Sequence, residues 1–293
     1  MKPIDKTMII SLLVNSFLVI LKLIAGLIFN LQTLIADSVH SLSDMMTDII
    51  AIIGQKISKS ESDNSHPYGH GKIEYITSIV IGIIIMILGL SLIYHAVNMK
   101  IDVTIYNNIV VGVVLLIIIS KYSLSQYVIR NAKKYKSNIL MASGKENLAD
   151  VLSSVAVLIT VLLYKLSSYV SIFKYADKLG CIIISLFIIK TAFQILKDNI
   201  ITLLGEREND ELVIKETKNL IYEVEGIKEI DELILMKYGS YYNASLKISV
   251  DADSSLRESH QIAHAVETKL LENNSEIKYV IVHINPYEKN ISF

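Results

Sequence analysis

ADSVHSLSDMMTDII, residues 36–50, is the stretch that decides how this chain is read. Its length and apolar surroundings are those of a membrane helix, yet Asp37, His40, Asp44 and Asp48 sit inside it. An ionisable group at the centre of a bilayer costs about 2.5–3.5 kcal/mol on insertion scales, so such residues face a cavity or a partner. Something must compensate them.

The surroundings of that stretch set its context. Of 293 residues, 52% are hydrophobic and none is Trp, too apolar a composition for one ordinary soluble domain. A net charge of −1 carries no polyanion-binding signature. The single Cys181 lies in an apolar run and has no intrachain disulfide partner. Lys2 and Lys6 precede an apolar run that is too long for a signal-peptide core and lacks a small-residue cleavage site, so it reads as a retained first span. A spanning helix needs about 20 mostly apolar residues, and the pattern predicts six, over residues 7–29, 33–55, 75–97, 107–129, 140–164 and 179–198. Lys2 and Lys6, then Lys56, Lys59 and Lys72, then Arg130, Lys133, Lys134 and Lys136 mark one side as basic. The other side has Lys100 and, after the fifth span, Lys165, Lys174 and Lys178. The positive-inside rule then predicts both termini in the cytoplasm.

From about residue 209 the chain turns charged and soluble in character. In ENDELVIKETKNLIYEVEGI, Leu212, Leu220 and Val224 recur at helical spacing. Two strand-like runs flank a Gly-Ser turn in DELILMKYGSYYNASLKISVDA, the second alternating Ala244, Leu246, Ile248 and Val250. A helix with Ile262, Val266 and Leu270 on one stripe and a last strand, KYVIVHINP, complete an αββαβ order, a small sheet with helices on one face. The expected fold class is a membrane all-α six-helix transmembrane bundle, residues 1–205, followed by a C-terminal α+β domain, residues 206–293. A core of that size makes oligomerisation a natural support.

His40 and Asp44, four residues apart, fall one turn apart on one helix face, which Asp37 shares. The fifth span holds the one comparable intrusion, ASGKENLADVLSSVAVLI, where Glu146 and Asp150 have the same spacing. Two such pairs on facing helices supply four ligands to a divalent ion, and the ion offsets the burial of the carboxylates. Asp37 is then either a further ligand or a group that orients one. Asp48, Lys22 and Lys145 read as polar residues that hold helices together or sit at wet helix ends, the lysines snorkelling.

The sequence at this point resembles the cation diffusion facilitators, and specifically bacterial members of the ferrous-iron/zinc efflux pump type. The resemblance covers nearly the whole chain and rests on ADSVHSLSD, on HPYGHGKIE after the second span, on ENLADVLSS and on the αββαβ tail. It implies a homodimer in the cytoplasmic membrane, with a metallochaperone-like cytoplasmic tail. It also implies alternating-access exchange of metal for protons, with His40, Asp44, Glu146 and Asp150 as the transport site. Zinc-selective members usually carry His where Glu146 stands. One imidazole and three carboxylates make a harder set, which tolerates Zn(II) and suits Fe(II) or Mn(II). The resemblance further implies a second metal site in the loop, at Asp63, His66 and His70, and a third in the tail, at Asp231, His260, His283 and Asn285. A usual tail ligand is replaced by Lys247, and LLGERE lacks the Asp that would pair with Lys72 in an interdomain bridge. His264 reads as an exposed helix residue.

An intramembrane metallopeptidase needs HExxH or an equivalent, which the sequence lacks. A channel would show a filter-like Gly-rich segment within a span, and there is none. A metal-binding scaffold or sensor without transport would use the same ligands. No organic cofactor and no nucleic-acid partner are expected. Metal, protons, the lipid bilayer and a second copy of the chain are.

Overall fold

A computed structural model describes residues 3–58, 62–98, 108–135 and 137–287. The Asp48 side chain, and Lys2, Lys59, Lys100 and Lys136 of the charge pattern, lie outside the described residues. Six long helices come first: α1 (Pro3–Ile28), α2 (Gln32–Ser58), α3 (Ile73–Asn98), α4 (Asn108–Tyr135), α5 (Asn138–Lys165) and α6 (Ala176–Leu203). The tail adds α7 (Glu211–Tyr222), β1 (Ile227–Tyr238), β2 (Tyr241–Asp251), α8 (Leu256–Asn273) and β3 (Ile277–Tyr287). The chain clusters into two compact units, residues 1–49 with 80–195, and residues 50–79 with 196–293.

In the first unit, α1, α3, α4, α5 and α6 each contain a segment long and apolar enough to cross a membrane. Among the described residues α2 is not in that group, and Asp37, His40 and Asp44 lie within α2. Its polar residues are instead wrapped by protein: Thr33, Asp37, Ser38, Ser41 and Ser43 are buried, as are Leu31, Leu34 and Ala36. Leu13, Phe17, Ile83, Ile119, Ile183 and Phe187 stand exposed on the other helices, apolar surface that a bilayer accepts at no cost. The core joins Leu34, Ile85, Val114, Ile117, Val157, Val161, Cys181 and Ile188. α2 begins on a carboxylate from another helix. Asp177 at the start of α6 accepts from the backbone N–H groups of Gln32 (3.0 Å) and Thr33 (2.9 Å). Those are donors that the first helical turn leaves unpaired, and a carboxylate also suits the positive end of the helix dipole.

In the second unit, β1 and β2 form an antiparallel hairpin closed by Gly239–Ser240, and β3 pairs parallel to β2, giving the order β1-β2-β3. Ala244, Leu246, Ile248 and Val250 are all buried, with Val266 and Leu270 of α8 and Ile221 of α7 against them. Asp210 caps α7, and Ser255 with Glu258 forms a capping box on α8. The expected α7 stripe needs a correction. Leu212 is exposed, and the packed positions are Val213, Thr217, Leu220, Ile221 and Val224. Leu212 sits two residues after the N-cap, one helical step out of phase with that stripe.

The loop of residues 62–72 is held on the hairpin by tyrosines. The Tyr241 hydroxyl donates to the Tyr68 carbonyl (2.7 Å) and accepts from the Gly71 N–H (3.2 Å). The Tyr75 hydroxyl accepts from the Gly239 N–H (2.6 Å). A Cβ on Gly71 would lie 2.1 Å from the Tyr238 carbonyl oxygen, so only glycine allows this approach.

Candidate metal centre

α2 and α5 bring His40, Asp44 and Asp150 together: one ligand atom from each lies within 4.8 Å of the others. Ligands about 2.0–2.2 Å from one ion are at most about 4.4 Å apart, so the spread of this trio is of the size a single ion spans. His40 Nδ1 and Asp44 Oδ2 are 3.9 Å apart across one helical turn. The His40 Nδ1 atom is buried and has no hydrogen-bond partner among the described residues. Asp44, Glu146 and Asp150 line one small cavity with Asn15, Ser41, Lys121 and Asn147. Its volume of about 20 Å³ suits a single small ion or water. Glu146 is the exposed member of the set and Asp150 the buried one.

Two lysines change the charge accounting. Lys121 of α4 is 3% exposed; its ammonium lies 2.8 Å from Asp150 Oδ2 and donates to Asn15 Oδ1 at 2.6 Å. The Asn15 amide donates in turn to Asn147 Oδ1 (3.1 Å), and the Asn147 amide to Ser11 Oγ (3.3 Å), which fixes the acceptor facing Lys121. Lys22 is buried at 1% exposure, 2.7 Å from Asp37 Oδ2 and 3.0 Å from Ser41 Oγ. Ser153 and Ser154 of α5 also donate to Asp37, the latter at 3.1 Å. Lys22 therefore does not snorkel; its partner lies in the core, so no gain awaits its head group at a membrane surface. Asp37 faces lysine and serine donors, and holds α1, α2 and α5 together beside His40. A bound cation is thus not the sole partner of the buried carboxylates: Asp37 and Asp150 each have an ammonium. Nor is the fifth span the one intrusion comparable to α2, since Lys121 lies in the middle of the fourth. An ionisable residue at mid-span was itself the signal.

In the loop, Asp63, His66 and His70 also bring ligand atoms within 4.8 Å of one another. Asp63 lies 3.1 Å from His66 Nδ1 and 3.4 Å from His70 Nε2, and the two imidazole centroids are 4.5 Å apart. The His66 backbone N–H, followed by the His66 side chain and the Ser65 N–H, holds the Asp63 carboxyl below its usual pKa. His70 Nδ1 is buried without a hydrogen-bond partner among the described residues. Lys72 has no carboxylate partner among the described residues; its ammonium lies 4.8 Å from the Tyr238 ring centroid and 3.5 Å from the Leu203 carbonyl.

The tail set divides in two. Asp231 accepts from Asn285 (2.8 Å) and from Ser249 (2.9 Å), while His260 and His283 line a separate open hollow with Asp251 and Ser254. The four are not among the compact ligand groups found in the described residues. Val282 and Ile284 pack on the core, so His283 and Asn285 turn to the other face of β3, whereas α8, which carries His260, packs on the core side. Lys247 is paired with Glu232 at 2.7 Å. His264 is exposed, beside Glu267.

Comparison with known proteins matches this architecture. The model of the cation efflux transmembrane domain matches residues 8–204, and that of the cation efflux protein cytoplasmic domain matches residues 209–287. The chain belongs to this cation efflux family, the cation diffusion facilitators, whose members are multi-pass membrane transporters rather than enzymes. It is 34% identical over 290 residues to an uncharacterised transporter of Methanocaldococcus jannaschii, covering 97% of this chain and 99% of that one. It is 29% identical over 289 residues to the manganese efflux system protein MneP of Bacillus subtilis, covering 96% of each. Among solved structures, a cadmium form of the MamM CTD matches 27% of this chain and 100% of its own, with 21% identity and a TM-score of 0.27.

Proposed function

We propose that the chain is a homodimeric exporter of a divalent transition metal, exchanging it for protons by alternating access across the cytoplasmic membrane, with both termini in the cytoplasm. Residues 1–205 carry transport, and residues 206–293 form the dimerising and regulatory tail. His40, Asp44, Glu146 and Asp150 bind the substrate ion, and Asp37 orients α2 around them. The observation that carries this reading is the cluster of His40, Asp44 and Asp150 on two membrane-region helices, beside a cavity of single-ion size. One imidazole with three carboxylates suits Mn(II) or Fe(II) and tolerates Zn(II). The relatives named as manganese efflux proteins, MneP and MneS, support Mn(II) as the substrate. Ligation needs the neutral form of an imidazole, which makes His40 the candidate for proton exchange. Asp63, His66 and His70 form a second metal site in the loop. Asp231, His260, His283 and Asn285 act in the tail as two pairs that a dimer contact or a metal draws together.

The test is Mn(II) uptake into everted vesicles, with and without an imposed pH gradient. Wild type accumulates metal faster with the gradient, and Asp44→Ala, recovered at normal levels in the membrane, does not accumulate it. Metal bound without any uptake would make the chain a scaffold or sensor instead.

A further inference from the structure

We propose that Lys121 is a tethered cation that competes with the substrate metal for Asp150 and so sets how tightly the site holds its cargo. The inference rests on the transport-site reading above. The ammonium sits 2.8 Å from an oxygen of the most buried carboxylate of the set, and Lys121 lines the same cavity as Asp44 and Glu146. A positive charge at that distance repels an arriving metal and holds one lone-pair direction of its ligand. It also has a second place to rest. Asn15 Oδ1 accepts from it at 2.6 Å, and Asn147 and Ser11 fix that amide in orientation. The ammonium can therefore lean onto Asn15 when a metal takes Asp150, and return when the metal leaves, without entering a medium that cannot solvate it.

Charge matching gives the arrangement its purpose. With Asp44, Glu146 and Asp150 ionised and His40 neutral, the set carries three negative charges, and Lys121 reduces the total to two. A divalent ion then makes the site neutral. Without Lys121 the loaded site would keep one negative charge and hold its ion more tightly. A transport site must be strong enough to load and weak enough to release, and Lys121 shifts that balance toward release.

The experiment measures Mn(II) binding to the purified full-length protein by calorimetry at fixed pH, in a His66→Ala, His283→Ala background that suppresses binding elsewhere. Lys121→Met, similar in length and uncharged, is expected to bind Mn(II) at least tenfold more tightly, while efflux from proteoliposomes at saturating Mn(II) slows. Lys121→Arg keeps the charge and is expected to stay within about threefold of the background affinity. Unchanged or weaker binding by Lys121→Met would show that Lys121 only orients Asp150, and would overturn the proposal. Should Lys121→Met fail to fold, Asn15→Leu carries the test. It removes the alternative acceptor and ties the ammonium to Asp150, so binding is expected to weaken at least threefold, and an unchanged affinity overturns the proposal. Absence of Mn(II) binding by the unsubstituted protein would sink the transport-site reading itself, whereas binding there with no response to Lys121→Met would sink only the competition.

Discussion

Lys22 and Asp37 make a pair whose energetics can be tested apart from transport. Both side chains are 1% exposed and their charged atoms are 2.7 Å apart. Removing one partner of a buried pair costs about 3–5 kcal/mol, because the survivor keeps its desolvation penalty. The two survivors are unequally provided for. Lys22→Met leaves the Asp37 carboxylate with two hydroxyl donors, from Ser153 and Ser154, each charged hydrogen bond contributing about 1.5–3 kcal/mol. That variant should lose about 3 kcal/mol. Asp37→Leu leaves the ammonium with the single Ser41 hydroxyl, and should lose about 5 kcal/mol. In Lys22→Met, Asp37→Leu no charge remains to be compensated, and the freed serines can bond back to their own helical carbonyls. The double variant should therefore recover at least half of the loss of the worse single variant. Reversible unfolding of the full-length protein in bicelles, followed by steric trapping, reads these differences. Additive losses in the double variant, or an equal cost for the two single variants, would refute the reasoning.

Glu146→His should move the metal ranking toward Zn(II), since imidazole suits zinc better than a third carboxylate does; competition uptake assays that return the wild-type ranking would place selectivity elsewhere. Gly71→Ala should weaken metal binding at Asp63, His66 and His70 at least tenfold, because the new Cβ would meet the Tyr238 carbonyl and push the loop off the hairpin; calorimetry in an Asp44→Ala, His283→Ala background isolates that site. Glu208 accepts from the Asp210 N–H (2.9 Å), the Asn209 N–H (2.7 Å) and the Tyr242 hydroxyl (2.8 Å) at the entry to the tail, and the Asp210 N–H is the largest cause of its depressed pKa. A depressed carboxyl pKa stabilises the fold above the unfolded-state value and loses that contribution as pH falls through the lower folded value. Glu208→Gln should therefore weaken hydrogen-exchange protection of α7 and β2 at pH 7 and flatten its decline as pH falls below the ordinary glutamate range, and a wild-type acid limb would sink the assignment.

Hydropathy made α1, α3, α4, α5 and α6 legible because lipid exposure leaves few alternatives to long apolar runs, and the period-two alternation of Ala244, Leu246, Ile248 and Val250 made β2 and its buried face equally plain. The i,i+4 spacing placed His40 with Asp44 and Glu146 with Asp150 on single helix faces. Spacing within one helix says nothing about a third helix, so the approach of Lys121 from α4 to Asp150 was hidden. The sequence shows a lysine in mid-span, but not its partner. The same limit applies to the tail, where residues shared by a family pattern fall into two separate groups. Leu212 shows a smaller limit: near a helix start, a shift of one residue decides which side chains reach the core.

The charges at the transport site and at the neighbouring Lys22–Asp37 pair follow a simpler rule than the ligand chemistry. Asp37, Asp44, Glu146 and Asp150 bring four carboxylates to α2 and α5, and Lys22 and Lys121 return two positive charges from α1 and α4. With these groups ionised, the remainder is two negative charges, equal and opposite to a divalent cation. A monovalent ion would leave one charge uncompensated in a medium where that is costly, and a trivalent ion would overshoot by as much. Coordination chemistry can then choose among divalent metals that have already passed a test of charge, and the lysines, which bind no metal, take part in setting that test. Replacing either lysine by methionine should relax it, so that a trivalent lanthanide competes better against Mn(II) in Lys121→Met than in the unsubstituted protein; equal competition in both would show that the lysines balance the fold and not the cargo.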